Sequence, residues 1–130
     1  MTSFKRFEEM EVWQKSRLMV KTIYLITSKP NFNKDLLLAS HLWKTAISII
    51  SNISEGFERD GNKEFINFLS IAKGSCGELR CQLYIALDQN YIKENQFKEI
   101  SNLATGISKS LKGMITYLQN SDFKGIKNKK

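Results

Sequence analysis

The chain is poor in the residues that most often do chemistry: it has one histidine, two cysteines and one proline in 130 residues, with only seven glycines. Each scarcity excludes something. A single histidine, His41, leaves no histidine-based metal centre and no paired acid–base site, and it is expected as a surface or partly buried side chain. Cys76 and Cys81 match neither a CxxC redox pair nor a zinc-ligand spacing. On a helix their separation turns through about 500°, so the two thiols fall on different faces. They are expected as reduced thiols used as small hydrophobes. So little glycine and proline argues against a loop-rich sandwich or a low-complexity chain. No apolar run approaches the roughly 20 residues that span a bilayer. Residues 1–11 are charged throughout, with no apolar signal core. The expected location is the cytoplasm, and no enzyme activity, cofactor, metal or small-molecule substrate is expected.

What is present is an ordinary globular composition, 42% hydrophobic and 25% charged. At 15.0 kDa the chain forms one domain that buries a sizeable core without staples. Twenty basic residues against thirteen acidic ones give +7. Lys124, Lys127, Lys129 and Lys130 crowd the end, and without them residues 1–122 stand at +3. The expected organisation is therefore a helical body, 1–122, and a basic, disordered tail, 123–130, able to lie on phosphates.

Helical periodicity recurs four times, and no segment alternates with period two. The first run, Glu8 to Thr27, carries Val12, Met19, Ile23 and Ile26 on one stripe. Ser28 to Asn31, with Pro30, closes it. The second, Lys34 to Phe57, places Ala39, Leu42, Ala46, Ile49, Ile53 and Gly56 in the rhythm of a coiled-coil seam. Arg59 to Asn62 is the next break, with Asp60 or Asn62 expected as the N-cap. The third, Lys63 to Gln89, is apolar on two sides, Phe65 to Ala86 on one and Ile66, Cys81, Tyr84 and Ile85 on another. Asn90 is the expected left-handed stop. The fourth, Gln96 to Gln119, carries Phe97, Ile100, Ala104, Ile107, Leu111, Met114 and Leu118. The fold class is all-α, an antiparallel up-down-up-down four-helix bundle. The spare stripe of the third helix predicts a homo-oligomer.

Two groups stand out within these helices. Gly74 and Gly77 lie mid-helix, where each costs about 1 kcal/mol relative to alanine, so a close helix contact is expected to offset them. Asn52, Glu55, Glu78 and Gln82 flank the seams of the second and third helices. A ferritin-type metal site would need Glu-x-x-His motifs that are absent, so a polar network fixing register is expected instead. Asn52-Ile53-Ser54 matches a glycosylation pattern by chance, mid-helix in a leaderless chain.

The order of these segments resembles a known family. The segments are Glu11-Val12-Trp13-Gln14-Lys15, then Ser48-Ile49-Ile50-Ser51-Asn52-Ile53-Ser54-Glu55-Gly56-Phe57. Lys63-Glu64-Phe65-Ile66-Asn67-Phe68-Leu69-Ser70-Ile71-Ala72 follows, with Gly74-Ser75, Glu78-Leu79 and Gln82-Leu83 after it. From Phe7 to Leu118 the chain resembles the four-helix-bundle proteins of 23S rRNA intervening sequences, and with them the accessory variability determinant of diversity-generating retroelements. It departs from the family's pattern at Ile50, where a proline is common, at Trp43-Lys44, where paired arginines are frequent, and at Arg80, where an acidic residue is frequent. The resemblance implies a ring-like homopentamer without enzymatic activity. For the retroelement relatives it implies binding to a reverse transcriptase and nucleic acid through a basic exterior.

Two functions from different classes follow. One is a basic adaptor associated with RNA or DNA, or with a nucleic-acid enzyme. The alternative is a structural or protein-interaction oligomer with no nucleic-acid role. For the first, the candidate phosphate contacts are Lys15, Lys44, Lys63 and Lys73 on the body and Lys124, Lys127, Lys129 and Lys130 in the tail. The expected structural motif is Asn52, Glu55, Gly56, Gly74, Gly77 and Glu78.

Overall fold

The computed structural model describes residues 3–121. The expected boundary at 122 and the tail lysines Lys124, Lys127, Lys129 and Lys130 lie outside the described residues. The fold is all-helical: α1 (Glu11–Thr27), α2 (Pro30–Asn33), α3 (Leu36–Glu58), α4 (Asn62–Asp88) and α5 (Glu94–Gln119), with a 3-10 turn at Phe7–Glu9. No β-strand occurs among the described residues.

The four long helices are the four periodic runs, with their ends adjusted by local chemistry. The first starts three residues later than expected, because Glu8 falls in the 3-10 turn and Met10 is extended. Asp35 caps α3, its side chain accepting from the Leu38 amide at 3.1 Å. The short helix α2 was not expected. Pro30 takes its first position, where a missing N–H costs nothing, and the helix swings Phe32 fully into the core. The cap of α4 is neither Asp60 nor Asn62 but Gly61, at φ +83°, a backbone conformation that suits glycine. Asn90 adopts φ +61° after α4, the left-handed stop expected of it.

All six seam residues of α3 are buried, as are Val12, Met19, Ile23 and Ile26 of α1. In α5 Ile100, Ala104, Ile107, Leu111, Met114 and Leu118 are buried, and Phe97 packs against them from the edge. The helices pack in a closed order: α1 on α3, α3 on α4, α4 on α5 and α5 on α1. Trp13 Nε1 donates to Ser54 Oγ at 2.8 Å, and Trp43 Nε1 donates to Thr27 Oγ1 at 2.8 Å. The start of α1 thus meets the end of α3, and its end meets the start of α3. Ser48 and Ser75 hydroxyls, 3.0 Å apart, tie α3 to α4.

The close helix contact lies at Gly56, not at the glycines of α4. A Cβ on Gly56 would sit 2.7 Å from Phe68 Cβ and 3.0 Å from Phe65 Cδ1. Gly74 and Gly77 are exposed, and a Cβ on either would meet nothing within 4 Å. They turn outward because the core stripe of α4, through Ala72, Cys76 and Leu79, lies on the opposite side.

Helix α3 also departs from the expectation that no segment is long enough to span a bilayer. By length and composition it qualifies, with 23 residues and an 18-residue stretch of mean hydropathy 1.2. Its leucines and isoleucines outweigh the serines, threonine and asparagine that interrupt the apolar run. Its apolar seam lies in the bundle core.

Candidate nucleic-acid interface

The α4–α5 edge follows from the core stripe of each helix. Tyr84 and Phe97 rings, 4.7 Å apart, mark where the flank of α4 meets α5. Arg80 and Lys73 precede Tyr84 by about one and three turns and share that flank. Both lie close enough to the buried Cys76 to act on its thiol. Burial pushes that thiol up to about 12, while the charges of Lys73 and Arg80 pull it the other way. Across the edge Lys112 stands exposed on α5, and Lys109 stands exposed further round on its outer face. No acidic residue occurs in α5 after Glu99.

Lys73, Arg80, Lys109 and Lys112 have no ion-pair partner among the described residues. Gly77 of α4 and Ser101 and Ser108 of α5 are small residues. Acidic residues gather elsewhere: Glu8, Glu9 and Glu11 near the start of α1, and Glu55, Glu58 and Asp60 at the end of α3.

The structure does not bring the four body lysines expected from the sequence together. Lys15 is exposed on α1 and pairs with Glu11 at 3.9 Å. Lys44 is exposed on α3, and Lys63 is exposed at the start of α4. Only Lys73 joins the α4–α5 edge. Arg80, Lys109 and Lys112 were not among the candidates, although the spacing of seven between Lys73 and Arg80 places both on one helix face.

The polar residues form a narrower network than expected. Asn52 Nδ2 donates to the Ser48 carbonyl at 2.7 Å and to Ser48 Oγ at 3.1 Å, and Ser48 then reaches Ser75. This chain links α3 to α4. Glu55 instead pairs with Arg59, the residue just past the end of α3, at 3.1 Å, and Glu78 lies 3.5 Å from Gln82 Nε2 within α4. Gln82 is buried and its Oε1 has no partner among the described residues. His41 and Cys81 are exposed, and Cys76 is buried. Among the described residues no three His, Cys, Asp or Glu side chains are grouped to hold a metal ion.

No curated protein matches the chain. A crystal structure of a protein with unknown function from the S23 ribosomal protein family of Bacteroides thetaiotaomicron is similar to it, with a TM-score of 0.73 and 28% identity. That similarity covers 80% of this chain and 97% of the other. The family model of the 23S rRNA-intervening sequence protein matches residues 8–113, a span holding the seam of α3, its Asn52-to-Phe57 segment and the Lys73–Arg80 flank. On that match the chain belongs to the 23S rRNA-intervening sequence protein family.

Proposed function

We propose that the protein is a non-enzymatic, cytoplasmic adaptor that binds the phosphate backbone of RNA or DNA through its α4–α5 edge. The observation that carries this reading is the set of four cations on and beside that edge, Lys73, Arg80, Lys109 and Lys112, with no ion-pair partner among the described residues and no acidic residue in α5 beyond Glu99. Cations without partners on a rigid edge attract polyanions without reading sequence. The tail lysines add charge to the same protein. Fluorescence anisotropy with a labelled structured RNA, from low to physiological salt, tests it. Affinity should fall steeply with salt, and neutralising all four residues to glutamine should flatten the slope by roughly three units, at 0.7–0.9 per phosphate contact. Binding unchanged by the four substitutions refutes the assignment.

The same reading holds that the chain is an antiparallel up-down-up-down four-helix bundle and forms a homo-oligomer, with five copies the number the family resemblance implies. The Ser48–Ser75 bond sets a register that brings Leu37 level with Ile85 on the outer α3–α4 face. These side chains are 71% and 46% exposed, and Ile71 and the orphaned Gln82 oxygen lie on the same side of α4. A second copy would cover the apolar surface. Size exclusion with light scattering should show a defined oligomer that Leu37→Glu with Ile85→Glu converts to monomer. A 15 kDa species for the unaltered chain at micromolar concentration refutes it.

A further inference from the structure

At the end of the bundle where α1 begins and α3 finishes, a groove of about 510 Å³ opens between the two helices. Phe7, Trp13 and Ile50 form its apolar wall, and Glu55 and Glu58 stand on its rim. The wall is fixed: the Trp13 indole is held by Ser54, and the Phe7 ring lies 5.3 Å from it. The Trp13 ring already attracts one cation, the Arg17 guanidinium 5.9 Å from its centre. Glu58 has no ion-pair partner among the described residues, and neither do Asp60, two residues after it, and Glu8, which follows Phe7. An apolar wall below two carboxylates, of which Glu55 is shared with Arg59 and Glu58 has no cation, suits a segment in which apolar and basic side chains are interleaved.

The chain carries such a segment. Residues 122–130 place Phe123 and Ile126 among Lys124, Lys127, Lys129 and Lys130. The last described residue is also at this end: the Ser121 carbonyl accepts from Asn62 Nδ2 at 3.4 Å, and Asn62 follows Glu58 by only four positions. Nine residues reach about 30 Å when extended. Two helices side by side are about 20–24 Å wide, so the segment is long enough to cross the end of the bundle.

We propose that this groove is the docking site of the chain's own residues 122–130, with Phe123 or Ile126 against Trp13 and lysines on Glu55 and Glu58. The groove and a bound phosphate backbone then compete for the same lysines, so nucleic acid and docking oppose one another.

The two indoles make the test possible within the full chain, since Trp13 lies at the groove and Trp43 at the far end beside Thr27. A nitroxide is placed at Asn128→Cys in a Cys81→Ser background, with the buried Cys76 left unlabelled. Indole signals are then read by 15N-resolved NMR. The Trp13 signal should be attenuated several-fold more than that of Trp43. Glu55→Gln with Glu58→Gln should abolish the difference while the Trp43 resonance stays in place, reporting an intact fold. Equal attenuation of both indoles overturns the proposal, as does attenuation that survives the two substitutions. Mixing spin-labelled 14N chains with unlabelled 15N chains separates the sources. Attenuation that passes between chains assigns the groove to a second copy's segment and overturns the intrachain assignment.

Discussion

Gly56 is where this fold is most sensitive to a single methyl group. Its φ is helical, so glycine is not there for conformational freedom. It is there because α4 approaches: a Cβ would stand 2.7 Å from Phe68 Cβ, an atom attached directly to the backbone of α4. No rotamer change can relieve that contact, so the helices must separate or tilt, and Phe65, 3.0 Å away, must move as well. Overpacking of this kind costs about 1–3 kcal/mol. Better helix propensity returns about 1 kcal/mol, leaving Gly56→Ala destabilised by about 1 kcal/mol. Gly74→Ala is the matched control, since it gains the propensity with nothing within 4 Å to strike, and should stabilise by about 0.5–1 kcal/mol. For a domain of this size 1 kcal/mol moves Tm by roughly 3–5 °C, so the two variants should separate by about 5–10 °C in a thermal melt. If Gly56→Ala raises Tm as much as Gly74→Ala does, the close approach is not real.

Three further outcomes are expected. With a thiol reagent at pH 8, Cys81 should react at once and Cys76 only on unfolding, because burial holds its thiol protonated to about 12; two fast thiols would contradict its placement. Asn90→Val should cost about 1–2 kcal/mol in denaturant unfolding and Asn90→Gly almost nothing, since φ is +61° there; equal effects would remove the left-handed stop as the reason for asparagine. Phe32→Ala should cost about 3–5 kcal/mol although Phe32 belongs to a four-residue helix, and a loss under about 1 kcal/mol would show that α2 is not anchored to the core.

The four long helices and their buried stripes were legible because both are local properties. A 3.6-residue period of apolar side chains fixes which face of a helix must leave water, and the break at Asn90 follows from what asparagine tolerates. The short helix α2 was not legible, since a single phenylalanine after Pro30 carries no period. The capping role of Gly61 was hidden for a related reason, because Asp60 and Asn62 on either side of it carry the stronger cap signal. The candidate site was legible only through Lys73. That Arg80 shares its edge, with Lys112 across it and Lys109 beyond, depends on which flank of α4 meets α5. Likewise, a mid-helix glycine looks the same in sequence whether another helix lies 2.7 Å from its missing Cβ or nothing lies within 4 Å. By itself, the sequence determined that the chain is helical and which faces are buried, because hydrophobic period acts within one helix. The tertiary structure alone decided which glycine is tight, which tryptophan meets which hydroxyl and where the unpaired cations gather. Each of those is a relation of register between residues far apart in the chain, set by how whole helices settle against one another.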